Sequence, residues 1–225
     1  MKNFAFTLAE VLITIGIIGI VAAMTLQGVI TSYQKQETVS RLKKVYATVG
    51  NAFAKAAAEY GDLDGWDWSN PEKILKEYLG PNFASPKFFG TNCRYGGCFC
   101  RFQEDGSAGE TGLPGGQYTW PGGQGITSPM HVGVPSVLFM DGSCINISKV
   151  YDTVEVWIDI NGAERKPNKV AKDVFAFSVN NKGQMASYGG YGCDDDLDWR
   201  VFATGTGCGS RIVEDGWQIK YDWHF

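Results

Sequence analysis

The feature that most constrains the fold of this chain is a long uncharged stretch near its N-terminus. Residues 11–34 contain no charged side chain, and most of them are aliphatic. A bilayer core is crossed by about 20 residues of helix, so this stretch is long enough to span a membrane. The helical pattern continues beyond it, and one helix over residues 6–60 would be roughly 80 Å long at about 1.5 Å per residue. The first half of such a helix is predicted to lie in lipid or among helices of like subunits.

One acidic residue, Glu10, lies at the edge of the uncharged stretch. Drawing a carboxylate into hydrocarbon costs about 2.5–3.5 kcal/mol, and acids in such positions usually have a partner. Cleavage of the chain before Phe6 would create an α-amino group, and this group on a neighbouring subunit would be a suitable partner for Glu10. The charge pair would fix the axial stagger of packed helices, so the sequence predicts an assembly role for Glu10.

The residues around Glu10 resemble a known processing motif. The stretch that carries the resemblance is Ala5-Phe6-Thr7-Leu8-Ala9-Glu10-Val11-Leu12-Ile13. It is similar to the prepilin peptidase cleavage and methylation motif of type IV pilins and type II secretion pseudopilins. The resemblance implies cleavage between Ala5 and Phe6, N-methylation of Phe6, and assembly through Glu10. Many pilins have a helix-loosening proline where this chain has Gln27 followed by Gly28.

The same resemblance implies a domain organisation and a function. The expected segments are a leader peptide (1–5), a hydrophobic transmembrane and assembly helix (6–34), the amphipathic half of the same helix (35–61) and a globular head (62–225). The protein would be a structural subunit of a type IV pilus-like or pseudopilus filament, and not an enzyme. Its partners would be copies of itself, other pilins and prepilin peptidase. It would lie in the bacterial inner membrane as a precursor, and later in a periplasmic or cell-surface filament.

Other interpretations of the N-terminus stay open. A secretory signal peptide would use Lys2 as its basic region and residues 21–23 as its cleavage site, whereas a signal anchor would remain in the membrane. The excess of basic residues after the span favours the opposite orientation by the positive-inside rule. A further interpretation is a membrane-anchored extracytoplasmic module that binds glycans or surfaces without polymerising. Its exposed aromatic residues would be Trp66, Trp68 and Trp120.

Hydrophobic residues continue at helical spacing after the span. The stripe is formed by Val39, Leu42, Tyr46, Val49 and Phe53, which are three or four residues apart. Gly61 is the predicted end of the helix. A short helix is predicted over residues 71–79, because Pro71 suits a first-turn position.

Strand patterns dominate the middle of the head. Residues 136–140 and 143–148 flank an Asp141-Gly142 turn, which predicts a hairpin. Residues 154–160 alternate between apolar and other side chains, and residues 173–179 form another predicted strand. The predicted fold is therefore α+β, with a long N-terminal helix whose hydrophobic half protrudes and whose second half covers one face of an antiparallel sheet. The resemblance to pilins implies that this α+β fold is pilin-like. Three further segments also resemble a pattern in pilin-like heads: Asp159-Ile160-Asn161-Gly162, Pro167-Asn168 and Asp173-Val174-Phe175.

The six cysteines favour disulfides and an oxidising compartment. Zinc is the rival interpretation, but the chain has only two histidines and no pair of CxxC motifs. Disulfide-stapled loops are therefore expected, with these candidates: Cys93, Cys98, Cys100, Cys144, Cys193 and Cys208. A bridge between Cys193 and Cys208 would resemble the C-terminal disulfide loop of many pilins.

Charge and composition limit the remaining functions. The chain has 24 acidic residues against 20 Lys and Arg, with a formal net charge of −4 and no basic run, so no nucleic-acid partner is expected. The sequence has only two histidines, far apart, and it has neither a nucleophilic serine motif nor a nucleotide-binding loop motif. No catalytic activity is therefore predicted. No cofactor is predicted apart from a structural calcium, which several pseudopilins hold with loop carboxylates near the C-terminus. The calcium candidates are Asp194, Asp195, Asp196 and Asp198, and a simple solvated acidic loop is the open alternative.

Overall fold

The computed structural model describes residues 7–90, 118, 135–189, 192–193 and 205–220. Its first element is a single 53-residue helix, α1 (Leu8–Tyr60). The helix ends as predicted at Gly61, which has φ 83° and donates its N–H to the carbonyl of Ala57 at 3.0 Å. By its internal contacts the chain divides into two compact units, residues 1–37 and residues 38–225.

Short helical segments follow α1. A 3₁₀ turn (Leu63–Gly65) precedes α2 (Pro71–Lys73), which continues as a π-helical turn (Ile74–Leu79) and a 3₁₀ turn (Gly80–Asn82). The Asn70 side chain caps α2 by accepting the Lys73 N–H at 3.1 Å. The predicted helix over residues 71–79 is confirmed, with a wider final turn.

The second unit is built on one antiparallel sheet of six strands in sequence order. The strands are β1 (Lys87–Phe89), β2 (Ser136–Leu138), β3 (Cys144–Val150), β4 (Thr153–Asp159), β5 (Val174–Val179) and β6 (Met185–Ala186). The predicted hairpin around Asp141-Gly142 is confirmed as β2–β3, with Val137 opposite Ile145. The last helix, α3 (Cys208–Glu214), packs on β5. The coarse α+β prediction is thus confirmed.

One face of the sheet carries the main hydrophobic core. The predicted stripe of α1 packs there, with Leu42, Val49 and Phe53 fully buried and Val39 and Tyr46 partly buried. The facing strand residues include Val156, Ile158 and Phe177, and Tyr46 makes an edge contact with the Phe177 ring at 4.9 Å. Helical periodicity therefore identified the buried side of α1 correctly.

The opposite face of the sheet is buried too. Glu155, Trp157 and Asp159, which alternate with the core residues of β4, are exposed by 5% or less. A second buried cluster on this face contains Trp157, Val174 and Ala176 with both Cys193 and Cys208. An alternating pattern usually marks a sheet with one solvated face, but here loop segments cover that face as well.

Gly183, in the turn between β5 and β6, provides a test of how that turn docks on α1. The residue has φ 75°, and a Cβ built on it would lie 2.6 Å from the Phe53 carbonyl oxygen and 2.9 Å from the Ala57 Cβ. We expect Gly183→Ala to lower the free energy of unfolding by about 2 kcal/mol or more, because it adds a left-handed strain and a clash with helix backbone. Chemical denaturation of the full-length chain measures the change.

Gly65→Ala is the matched control, because a Cβ at Gly65 meets no heavy atom within 4 Å. It should leave the unfolding midpoint nearly unchanged. Equal destabilisation by the two substitutions would contradict the docking argument.

Candidate assembly segment and head sites

The first half of α1 exposes a continuous apolar surface. Its large hydrophobic side chains are 43–80% exposed, and none of them belongs to the core of the second unit. They are Leu8, Val11, Leu12, Ile13, Ile15, Ile17, Ile18, Ile20, Val21, Met24, Leu26, Val29, Ile30 and Tyr33. A contiguous apolar surface of this size marks a protein or membrane contact. By length and composition alone, α1 could cross a membrane. A membrane anchor and a signal sequence both meet this criterion.

Glu10 and Thr7 form a capping box at the start of α1. The Glu10 carboxylate accepts the Thr7 backbone N–H and the Thr7 hydroxyl, each at 2.8 Å. The Thr7 hydroxyl in turn accepts the Glu10 N–H at 3.3 Å. This reciprocal pattern satisfies two backbone donors that would otherwise lack partners at a helix N-terminus. The Thr-x-x-Glu spacing at residues 7–10 is the signal for it in the sequence.

The glycines of the apolar half leave the helix surface open to a close neighbour. A Cβ built on Gly16, Gly19 or Gly28 would meet no heavy atom within 4 Å. Small residues on a helix surface allow another helix to approach closely. The helix is continuous through Gln27 and Gly28, where many pilins have a proline.

Several predicted site residues lie outside the described residues. These are Ala5 and Phe6 at the predicted cleavage point, Cys93, Cys98 and Cys100, the calcium candidates Asp194, Asp195, Asp196 and Asp198, and Trp120. Within the described ranges, no group of three or more His, Cys, Asp or Glu side chains is arranged to hold a metal ion.

A disulfide closes the C-terminal part of the head. Cys193 and Cys208, the two cysteines that the resemblance pairs, are joined with their Cα atoms 4.8 Å apart. The bridge lies in the second buried cluster and ties the start of α3 to that face of the sheet. A loop of this length contributes about 3 kcal/mol when the bond constrains the unfolded chain. Cys144 is also disulfide-bonded.

A pair of buried aspartates lies at the two ends of the connection from β4 to β5. Asp159 accepts the Tyr118 hydroxyl at 2.6 Å and the Gly162 N–H at 2.7 Å. Asp173 accepts the Lys169 N–H at 2.6 Å and the Asn168 N–H at 2.8 Å. Both carboxylates therefore hold the backbone of residues 160–173 in place.

Asn161 and Asn168 complete this arrangement. The Asn161 side chain donates to Asp173 at 3.3 Å, and the Asn161 N–H donates to Asp159 at 3.0 Å, so one residue contacts both acids. Asn168, with φ 51°, donates its side-chain amide to the Ala163 carbonyl at 2.7 Å. These residues explain the pattern Asp159-x-Asn161-Gly162, Asn168 and Asp173, because their side chains fold the loop between β4 and β5. This loop is longer than the two-residue hairpin turn that an Asn-Gly pair often forms.

Burial makes this acid pair unusual electrostatically. Burial, together with the charge of Asp173, raises the pKa of Asp159 to about 7. Burial also raises the pKa of Asp173 to about 6, although backbone donors oppose that shift. Desolvation wins in both cases, because each carboxylate is almost completely removed from water.

The tryptophans proposed as exposed binding residues are core residues where the structure describes them. Trp66 is only 5% exposed, stacks on Phe53 at 6.2 Å and donates its indole N–H to the Gly61 carbonyl. Trp68 is partly buried, stacks on Trp66 at 6.0 Å and donates to the Leu63 carbonyl at 2.8 Å. The expectation that Trp66 and Trp68 are exposed is wrong, because the chain after Gly61 folds back and packs both indoles against the main core.

Comparison with known proteins adds little to this description. Residues 28–91 match the model of DUF6613, a family of unknown function, over less than a third of the chain. No curated protein and no solved structure matches the chain.

Proposed function

We propose that the protein is a structural subunit of a type IV pilus-like or pseudopilus filament that is processed before Phe6 and assembles through the first half of α1. The observation that carries the proposal is the exposed apolar surface of residues 8–33 with Glu10 at its edge. Glu10 is the only charged residue among residues 3–34. A membrane anchor needs the apolar surface, but it needs the acid only for the capping box with Thr7, a role that glutamine also fills.

The proposed assembly step is a change of partner for Glu10. In the single chain its carboxylate is held by Thr7. In a filament, the α-amino group of Phe6 on an adjacent processed subunit would lie against this carboxylate in a setting without bulk water. A pair of opposite charges is much stronger there than in solution, so it would select one axial register of the packed helices.

The second unit provides the part of the subunit that faces solvent. Its sheet is buried on both faces and stapled by the Cys193–Cys208 bridge. Disulfides persist in extracytoplasmic compartments, which supports a head displayed in the periplasm or at the cell surface.

The N-terminal peptide of the mature protein tests the processing step. Mass spectrometry of the purified protein should yield a peptide that begins at Phe6 and carries one additional methyl group. A peptide that begins at Met24 would instead mean ordinary signal cleavage. A chain that retains Met1 would mean an uncleaved anchor, and either result would overturn the proposal.

A further inference from the structure

Tyr151 occupies a position that the fold itself does not explain. It is the first residue of the two-residue turn between β3 and β4, where Val150 pairs with Thr153. The side chain is 93% exposed, and the backbone has φ 53°. Glycine, asparagine and aspartate are usual in such turns, because a bulky side chain is disfavoured at positive φ. A large aromatic residue therefore has an unfavourable backbone conformation here, although its side chain makes no contribution to the core.

A cleft of about 540 Å³ opens beside this turn. The two residues after Tyr151, Asp152 and Thr153, line it, together with Asp64, Lys149 and Asn181. Three apolar residues also line it, Leu63, Val154 and Val179, and each of them is almost completely buried. Clefts that bind small ligands have volumes of about 300–1,000 Å³ and combine an apolar surface with a few convergent polar groups.

The polar groups of the cleft favour a neutral ligand rich in hydroxyl groups. Lys149 Nζ lies 3.4 Å from an Asp64 carboxylate oxygen, so cation and anion partly offset each other. Asp152 has no hydrogen bond or ion pair with the described residues and is exposed. Donors and acceptors are thus both present with only a small excess of negative charge, which suits hydroxyls that both donate and accept.

We infer that this cleft binds a saccharide, with Tyr151 as the aromatic platform for the apolar face of a sugar ring and Asp152 as an acceptor for its hydroxyls. A phenol ring supplies a rigid apolar surface with a polar tip, which is what such stacking requires. The strained turn then has a reason, because it leaves the ring exposed to solvent beside Asp152, a residue that lines the cleft, instead of burying the ring in the core. Neither observation depends on filament assembly.

The test uses the full-length chain in a detergent without a sugar headgroup. The probe is an array of immobilised mono-, di- and trisaccharides of glucose, galactose, mannose and their N-acetyl derivatives, and the strongest hit is then titrated in solution. Tyr151→Asn should weaken binding about tenfold or more while its thermal midpoint stays equal to or above that of the original chain, because asparagine tolerates positive φ. Weaker saccharide binding with an unchanged or higher thermal midpoint would not be expected if Tyr151 had only a structural role.

Two further variants sharpen the result. Asp152→Asn should also weaken binding, whereas Met140→Asn, at an 84% exposed hydrophobic residue beside the β2–β3 turn, should leave it unchanged. The inference is overturned if no saccharide on the array binds, or if Tyr151→Asn binds as the original chain does. Loss of filaments in Tyr151→Asn with unchanged saccharide binding would assign the residue to a contact between subunits instead.

Discussion

Replacing Glu10 by glutamine is expected to reduce the number of filaments at least tenfold while leaving the head folded. Glutamine has nearly the same shape as glutamate and also serves in a capping box, so the hydrogen bonds from Thr7 are kept. Only the negative charge is lost, and with it the proposed attraction to the α-amino group of a neighbouring subunit. An interaction of a few kcal/mol in a water-poor setting corresponds to more than a tenfold change in an equilibrium. Electron microscopy of sheared filaments measures the effect.

Glu59→Gln is the matched control for this experiment. It makes the same change near the other end of α1, at an exposed position of the second unit. Filament numbers should then stay close to those of the original chain, and circular dichroism should show equal helix content in both variants. If Glu10→Gln assembles as well as the control, the acid serves only as a helix cap, and the proposed assembly mechanism is wrong.

Lowering the pH from 8 to 5 is expected to stabilise the head, which is the reverse of ordinary acid denaturation. The folded-state pKa of Asp159 is raised to about 7 and that of Asp173 to about 6, both from an ordinary value of 3.8. A raised folded-state pKa means that the folded chain holds a proton that the unfolded chain has already released. The resulting stabilisation is fully present below about pH 4 and is lost as the pH rises through 6 to 7. Each retained proton changes the free energy of unfolding by about 1.4 kcal/mol per pH unit in this window.

The Asp159→Asn variant tests the origin of this dependence. Its side-chain oxygen can still accept the Asn161 and Gly162 N–H groups, but it has no charge to bury. Denaturant midpoints measured from pH 5 to pH 8 should change less with pH in this variant. Asp152→Asn, in the exposed turn that precedes the opposite end of β4, should keep the original slope. A head that loses stability steadily as the pH falls from 8 to 5 would contradict the assignment.

The elements that the sequence predicted well are those whose pattern is local. The stripe on α1 from Val39 to Phe53 needs only the 3.6-residue repeat, and its end needs only Gly61. The β2–β3 hairpin needs only Asp141-Gly142 between two apolar runs. The short strands β1 and β6 were not predicted, because two or three residues carry too little periodicity to be recognised.

The features that were missed depend on contacts between distant segments. Glu155 and Asp159 look like the solvated face of an alternating strand, and nothing near them in the sequence indicates that loops cover that face. Asp159 and Asp173 belong to a recognisable pattern in the sequence, but only the fold shows that Asn161 links the two carboxylates. Trp66 and Trp68 were placed in an exposed loop for the same reason, since their burial depends on how the chain turns after Gly61.

The strand order of the sheet has a consequence for how the head is made. From β2 to β6 every strand pairs with the one that follows it in the chain, so each new pairing closes only a short loop. Small loops cost little entropy to close and form rapidly, which means that this part of the sheet can form one strand pair at a time. The pairing of β1 with β2 is different, because residues 90–135 lie between them. We therefore expect β1 to join last, and the late-forming edge of the sheet to be the place where an incompletely folded head is first attacked by proteases.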